Sequence, residues 1–166
     1  MLLKSRSVRM ALASFLLVVG IAAAAPAMAD DGIDTCHHTD KGFTFDLGVN
    51  GQGKTAGTAG EKKDEDSPLF IYPKSITLDK CKVYGEGAYS EDGEWTDGSI
   101  LTVNTFGILY ASDAGHALRL KTDINECGYT HARLTAYQWS LPGKVSGVWS
   151  PDSNPGNGTI INNGWR

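Results

Sequence analysis

Phe43-Thr44-Phe45-Asp46-Leu47-Gly48-Val49 alternates apolar residues with polar or small ones over seven positions. That is the period of a half-buried β-strand, with Phe43, Phe45, Leu47 and Val49 facing inward. Working outward, Leu69 to Leu78 reads as a second strand. Pro73 within it donates no ladder hydrogen bond, which marks an edge or a bulge. Asp79-Lys80 turns into a further strand from Cys81 to Gly85, and Ile100 to Tyr110 is β-branched and apolar. Ser112-Asp113-Ala114-Gly115 is a turn signal, after which His116 to Thr122 is expected to return as the hairpin partner, Leu118 and Leu120 inward. Ala132 to Trp139 alternates again, and Pro142-Gly143 leads into Val145 to Trp149. A short strand is expected at Thr159 to Ile161.

Between these runs lie turn-rich stretches. Asn50 to Ser67 carries Gly51, Gly53, Gly57, Gly60 and the charge run Glu61 to Asp66, and reads as a mobile loop. Ser90 to Gly98 is polar around Trp95. Short strands separated by turns at intervals of about ten residues point to an all-β fold, a single-domain antiparallel β-sandwich or small barrel. The domain is expected over residues 42–166, preceded by a flexible lead-in at 30–41.

The first 29 residues read as a secretory signal peptide. Lys4, Arg6 and Arg9 form a positive n-region, Met10 to Ala25 is uncharged and apolar, and Ala27-Met28-Ala29 supplies the small-x-small cleavage pattern. The apolar run is shorter than the roughly 20 residues of a spanning helix. The chain as a whole has 15 basic and 19 acidic residues; without Lys4, Arg6 and Arg9 the balance is 12 against 19, a net charge of −7. Such a surface argues against nucleic acid or anionic lipid as electrostatically driven partners, and stable membrane insertion is not expected. Localisation is expected to be extracellular or at the cell envelope.

Export makes Cys36, Cys81 and Cys127 a redox question. Three thiols allow at most one intrachain bond. Spacing does not choose the pair, since Cys36–Cys81 and Cys81–Cys127 each close loops worth about 4 kcal/mol in the chain-entropy model. Cys36–Cys81 is the expected pairing because it staples down a loose N-terminal segment.

Catalytic signatures are sparse. The nucleophile elbow G-x-S-x-G is missing, and Cys127 with His131 lacks an evident orienting partner. Cys36, His37 and His38, with Asp34 and Asp40, are ligand types without zinc-site spacing, and neighbouring side chains on an extended segment point apart. The loops Asp92 to Gly98 and Asp152 to Asn157 hold oxygen ligands but depart from the calcium-loop pattern. No cofactor or metal is expected, and no catalytic residue is assigned. The four tryptophans offer more. Trp139 and Trp149 fall in strand-like runs and read as core, whereas Trp95 and Trp165 lie in polar settings suited to stacking on a sugar ring.

The strings Phe43-x-Phe45, Gly60-Glu61-Lys62-Lys63-Asp64, Ser75-Ile76 and Val145-Ser146-Gly147-Val148-Trp149-Ser150-Pro151-Asp152-Ser153 together resemble a loose group of small exported proteins of Gram-positive bacteria. The resemblance covers roughly Phe43 to Ser153 and implies a secreted β-rich domain without an assigned activity or any catalytic residue to transfer. The combined expectation is a secreted, non-enzymatic binding or interaction protein, such as a bacteriocin-like factor, acting on an extracellular protein or an envelope component. The alternatives are a carbohydrate- or cell-wall-binding module using Trp95 and Trp165, and a small secreted hydrolase.

Overall fold

The computed structural model describes residues 40–48, 55–139, 141–154, 156 and 158–162, all within one compact unit, Ile33–Arg166. Its strands are β1 (Lys41–Asp46), β2 (Thr55–Gly57), β3 (Glu61–Lys62), β4 (Leu69–Ile76), β5 (Lys80–Ala88), β6 (Gly107–Tyr110), β7 (Leu118–Leu120), β8 (His131–Gln138), β9 (Lys144–Ser150) and β10 (Thr159–Ile160). One helical turn, α1 (Gly98–Leu101), and a 3-10 turn at Ala111–Asp113 complete the described elements.

Two sheets carry the fold. The first runs β1-β9-β4-β7-β10, antiparallel except for the parallel β7–β10 pair. The second runs β2-β8-β5-β6, with β3 also paired to β8. They stack as an all-β sandwich and do not close into a barrel. The alternation in β1 does what its period requires: Phe43, Phe45 and, just beyond the strand, Leu47 are buried, while Thr44 and Asp46 are exposed. They meet Leu69, Ile71, Val145 and Trp149 of their own sheet, and Val83, Leu109 and Leu134 of the other, in one apolar cluster. Burying each such side chain fully is worth about 1.5–3 kcal/mol. Pro73 sits at a bulge, because the β4–β9 register shifts between Pro73 and Ser75.

Three expectations need correction. The stretch from Asn50 to Ser67 is not all loop: Ala56 pairs with Ala136, and Glu61 with Ala132. A buried clasp holds that stretch to the far end of the domain. Lys63 Nζ donates to the Ser67 carbonyl, to the Pro151 carbonyl at 2.8 Å and to Asp152 Oδ1 at 2.9 Å. The Asp152 carboxylate also accepts from the Asp64 and Glu65 amides and the Ser67 hydroxyl, each at 3.2 Å. Burial lowers the Lys63 pKa, and the Asp152 charge opposes that shift.

The run Ile100 to Tyr110 is strand only from Gly107. Asp97 caps α1 by accepting from the Ser99 amide at 2.9 Å, and Asn104 and Thr105 then take φ of 61° and 71°, which no strand tolerates. The expected hairpin with His116 to Thr122 does not form. β6 pairs with β5, whereas β7 crosses to the other sheet and lies between β4 and β10. Leu118 and Leu120 face inward as expected, packing from the opposite sheet.

Candidate functional site

Strand β5 alternates from Lys80 to Gly87. Cys81, Val83, Gly85 and Gly87 point into the sandwich, and Lys80, Lys82, Tyr84 and Glu86 stand on the outer face of the sheet. On β8 the outward positions are Arg133, Thr135 and Tyr137. Antiparallel register sets these side chains in rungs: Lys82 opposite Tyr137, Tyr84 opposite Thr135, and Glu86 opposite Arg133. On the other side of Thr135 the partner is Gly57 of β2, which has no side chain to cover the rung.

α1 and its cap rise beside these rungs and turn the face into a cleft. Tyr84, Glu86, Thr135 and Tyr137 form the sheet side, Asp97, Gly98 and Ser99 the wall, around about 300 Å³ of space. That is the lower end of the range for small-molecule sites. Glu86 is fixed by the Arg133 guanidinium, whose Nε donates to Oε2. Hydrogen bonds from Ser99 hold the Asp97 carboxyl below its ordinary range. Burial raises the Tyr84 phenol pKa, with the neighbouring Tyr137 and Asp97 acting in the same direction, so this hydroxyl stays a donor through the physiological range. The Thr135 hydroxyl has no hydrogen-bond partner, although the residue is only 3% exposed. A buried hydroxyl left unpaired costs about 1–3 kcal/mol.

Aromatic and cationic side chains continue past the cleft. The Phe106 ring lies 6.3 Å from Tyr84 and 5.8 Å from Trp139, both edge to face. Lys82 Nζ sits 4.2 Å from the Phe106 ring centre and 4.8 Å from that of Trp139, and Lys80 Nζ is 4.7 Å from the latter.

The residues singled out from the sequence are distributed otherwise. Trp95 is partly buried; Arg133 lies over its ring at 4.7 Å, and a Cβ on Gly60 would fall 2.4 Å from its Cζ2. Its ring is therefore occupied from within the protein. It braces the Arg133–Glu86 pair, and through it the cleft. Trp165 lies outside the described residues. Trp149 is core, as expected, but Trp139 is not: it follows the end of β8 and is 38% exposed. The expected Cys36–Cys81 disulfide is not found. Cys36 lies outside the described residues, and Cys81 is a free thiol on the inward side of β5, its pKa pushed by burial up to about 12. Cys127 is free and exposed.

His37 and His38 are likewise outside the described residues, while His131 Nδ1 is engaged with the Thr130 hydroxyl at 3.0 Å. Asp97 and Asp152, considered as loop ligands, instead cap α1 and neutralise Lys63. Among the described residues no three His, Cys, Asp or Glu side chains are grouped to hold a metal ion.

The cleft residues Tyr84, Glu86, Thr135 and Tyr137 escaped the sequence reading. The signal was present as Lys80-x-Lys82-x-Tyr84-x-Glu86, a polar row interleaved with Cys81 and Val83. A family model described as a protein of unknown function, DUF2712, matches residues 26–153. Neither the curated proteins nor the solved structures contain a match to this chain.

Proposed function

The chain belongs to the DUF2712 family of proteins of unknown function, and from the chemistry of its cleft we propose that it is a non-enzymatic module binding a saccharide outside the cytoplasm. One observation carries the reading: a cleft of about 300 Å³ that brings two tyrosines and two carboxylates together over Thr135. Sugar rings present apolar C–H faces to aromatic rings and hydroxyls at their rims. Tyr84 and Tyr137 offer ring surface together with phenol donors, and Glu86 and Asp97 offer charged acceptors, which bind hydroxyl donors more strongly than neutral ones do.

The same groups favour binding over hydrolysis. Glycosidic cleavage by a carboxyl pair needs one member held protonated as the acid. Asp97 is shifted in the opposite direction, and Glu86 is tied to a guanidinium. The n-region, apolar run and Ala27-Met28-Ala29 of the leader support export, so the target would be a glycan of the cell envelope or its surroundings.

The test is affinity electrophoresis of the secreted protein through gels containing cell-wall polysaccharide or defined neutral glycans. Tyr84→Ala and Tyr137→Ala should each weaken retardation at least tenfold, and Asp97→Asn severalfold. Retardation unchanged in all three would overturn the cleft as the site. N-terminal sequencing of protein from the medium should begin at Asp30; retention of an intact leader in the cytoplasm would overturn the export reading.

A further inference from the structure

The belt next to the cleft contains a cation without an anion. Lys82 stands on the outer face of β5 between the rings of Phe106 and Trp139, at 4.2 and 4.8 Å, and forms no ion pair among the described residues. Ion pairs elsewhere among the described residues include Lys41 with Glu61, Lys62 with Asp64, Lys63 with Asp152, Arg133 with Glu86 and Lys144 with Asp46. Lys80, two positions back on the same face, brings a second ammonium group to the Trp139 ring at 4.7 Å. Two residues along a strand place these stems about 7 Å apart.

Ring contacts attract an ammonium group but use none of its N–H donors on an acceptor atom. They also hold the side chain in place, which reduces the ordering cost when an anion arrives. The belt is continuous with the cleft, since Tyr137 is the cross-strand partner of Lys82 and the Phe106 ring contacts Tyr84. A ligand seated over Thr135 and extending along the rungs toward the Lys80 end of β5 meets Lys82 next.

We propose that Lys82, supported by Lys80 and the Phe106 and Trp139 rings, is an anion subsite, and that the ligand is an acidic glycan whose phosphate or carboxylate lies about one sugar unit from the ring held in the cleft. This rests on the saccharide reading above and narrows it to a ligand class. The net charge of −7 on residues 30–166 opposes a polyanion at long range. Screening over about 8 Å at physiological ionic strength confines that repulsion, while the contact at Lys82 is direct.

The experiment compares three polymers against the secreted full-length product in affinity electrophoresis at fixed ionic strength: a neutral glucan, polygalacturonate, and poly(glycerol phosphate) carrying sugar substituents. At least one acidic polymer should bind about tenfold more tightly than the neutral one. Lys82→Gln should erase that difference and leave neutral binding unchanged, and Lys82→Arg should restore it. Whether the carboxylate or the phosphate polymer gains names the anion. Equal binding of acidic and neutral polymers, or an acidic preference that survives Lys82→Gln, overturns the anion subsite and leaves the saccharide cleft standing. Failure of all three polymers to bind overturns both.

Discussion

Lys63 Nζ lies 2.9 Å from Asp152 Oδ1 with neither side chain exposed, joining positions 89 residues apart. Each proton of the ammonium group has an acceptor, and the carboxylate has further donors from Asp64, Glu65 and Ser67. Removing one member strands the other charge in a dry site, at a cost of about 3–5 kcal/mol. Lys63→Met and Asp152→Ala should each show a loss of that size in urea titration, and Lys63→Met with Asp152→Leu should recover much of it. A loss below about 1 kcal/mol, the size found for exposed pairs, would mean the clasp is open to water.

Gly147 tests how closely the central strands approach. A Cβ there would fall 2.2 Å from the Tyr72 carbonyl oxygen, whereas at Gly42, also in a strand, nothing lies within 4 Å. Gly147→Ala should destabilise by about 3 kcal/mol, the upper part of the range for overpacking. Gly42→Ala should be neutral or stabilise by about 0.5 kcal/mol. Thermal unfolding of the two variants side by side is the measurement, and equal melting temperatures would contradict the packing.

Thiol accessibility separates the cysteines. Cys81 is fully buried with its pKa raised by burial to about 12, so almost none is thiolate near neutral pH. Iodoacetamide under native conditions should alkylate Cys127 and leave Cys81 untouched until denaturant is added, as read by peptide mass spectrometry. Native labelling of Cys81 would place it outside the core.

Glu126 gives a pH dependence with a defined sign. Burial, helped by a hydrogen bond and charge contact with Asp66 and by the charge of Asp123, and opposed by a backbone hydrogen bond, raises its carboxyl above the ordinary 4.5. The folded state then holds this proton more tightly than the unfolded chain. The resulting stabilisation is complete below pH 4.5 and is lost as pH rises through the raised folded value. Glu126→Gln should therefore match the parent near pH 4 and exceed it at pH 7. Because Glu126 is exposed, the gain should stay within about 1 kcal/mol. A variant less stable at pH 7 would reverse the sign.

Strand existence was legible where a long run has one buried face, as in β1, where Phe43 and Phe45 alternate with Thr44 and Asp46, but not in the short β2 and β3. Pairing was less so. Nothing local tells β7 to leave its sequence neighbour β6 for the other sheet; that choice is made by where Leu118, Leu120 and Ile161 find apolar partners. The clasp was visible only as two separate strings, one around Lys63 and one around Asp152, since an ion pair across 89 residues leaves no periodic trace. The cleft was hidden for a related reason. Tyr84, Thr135 and Asp97 come from different elements, and the sequence reading favoured tryptophans by their polar surroundings. That criterion selected Trp95, which is covered by Arg133 and Gly60, and passed over Trp139 because it falls in a strand-like run.

The first and last described strands, β1 and β10, occupy the two edges of one sheet, and the cleft lies on the outer face of the other. The described chain therefore begins and ends on the sheet that does not carry the proposed cleft. A reporter or surface tether attached there should display the Tyr84–Tyr137 face outward, and several copies strung on one carrier could engage a repeating polymer together without blocking one another.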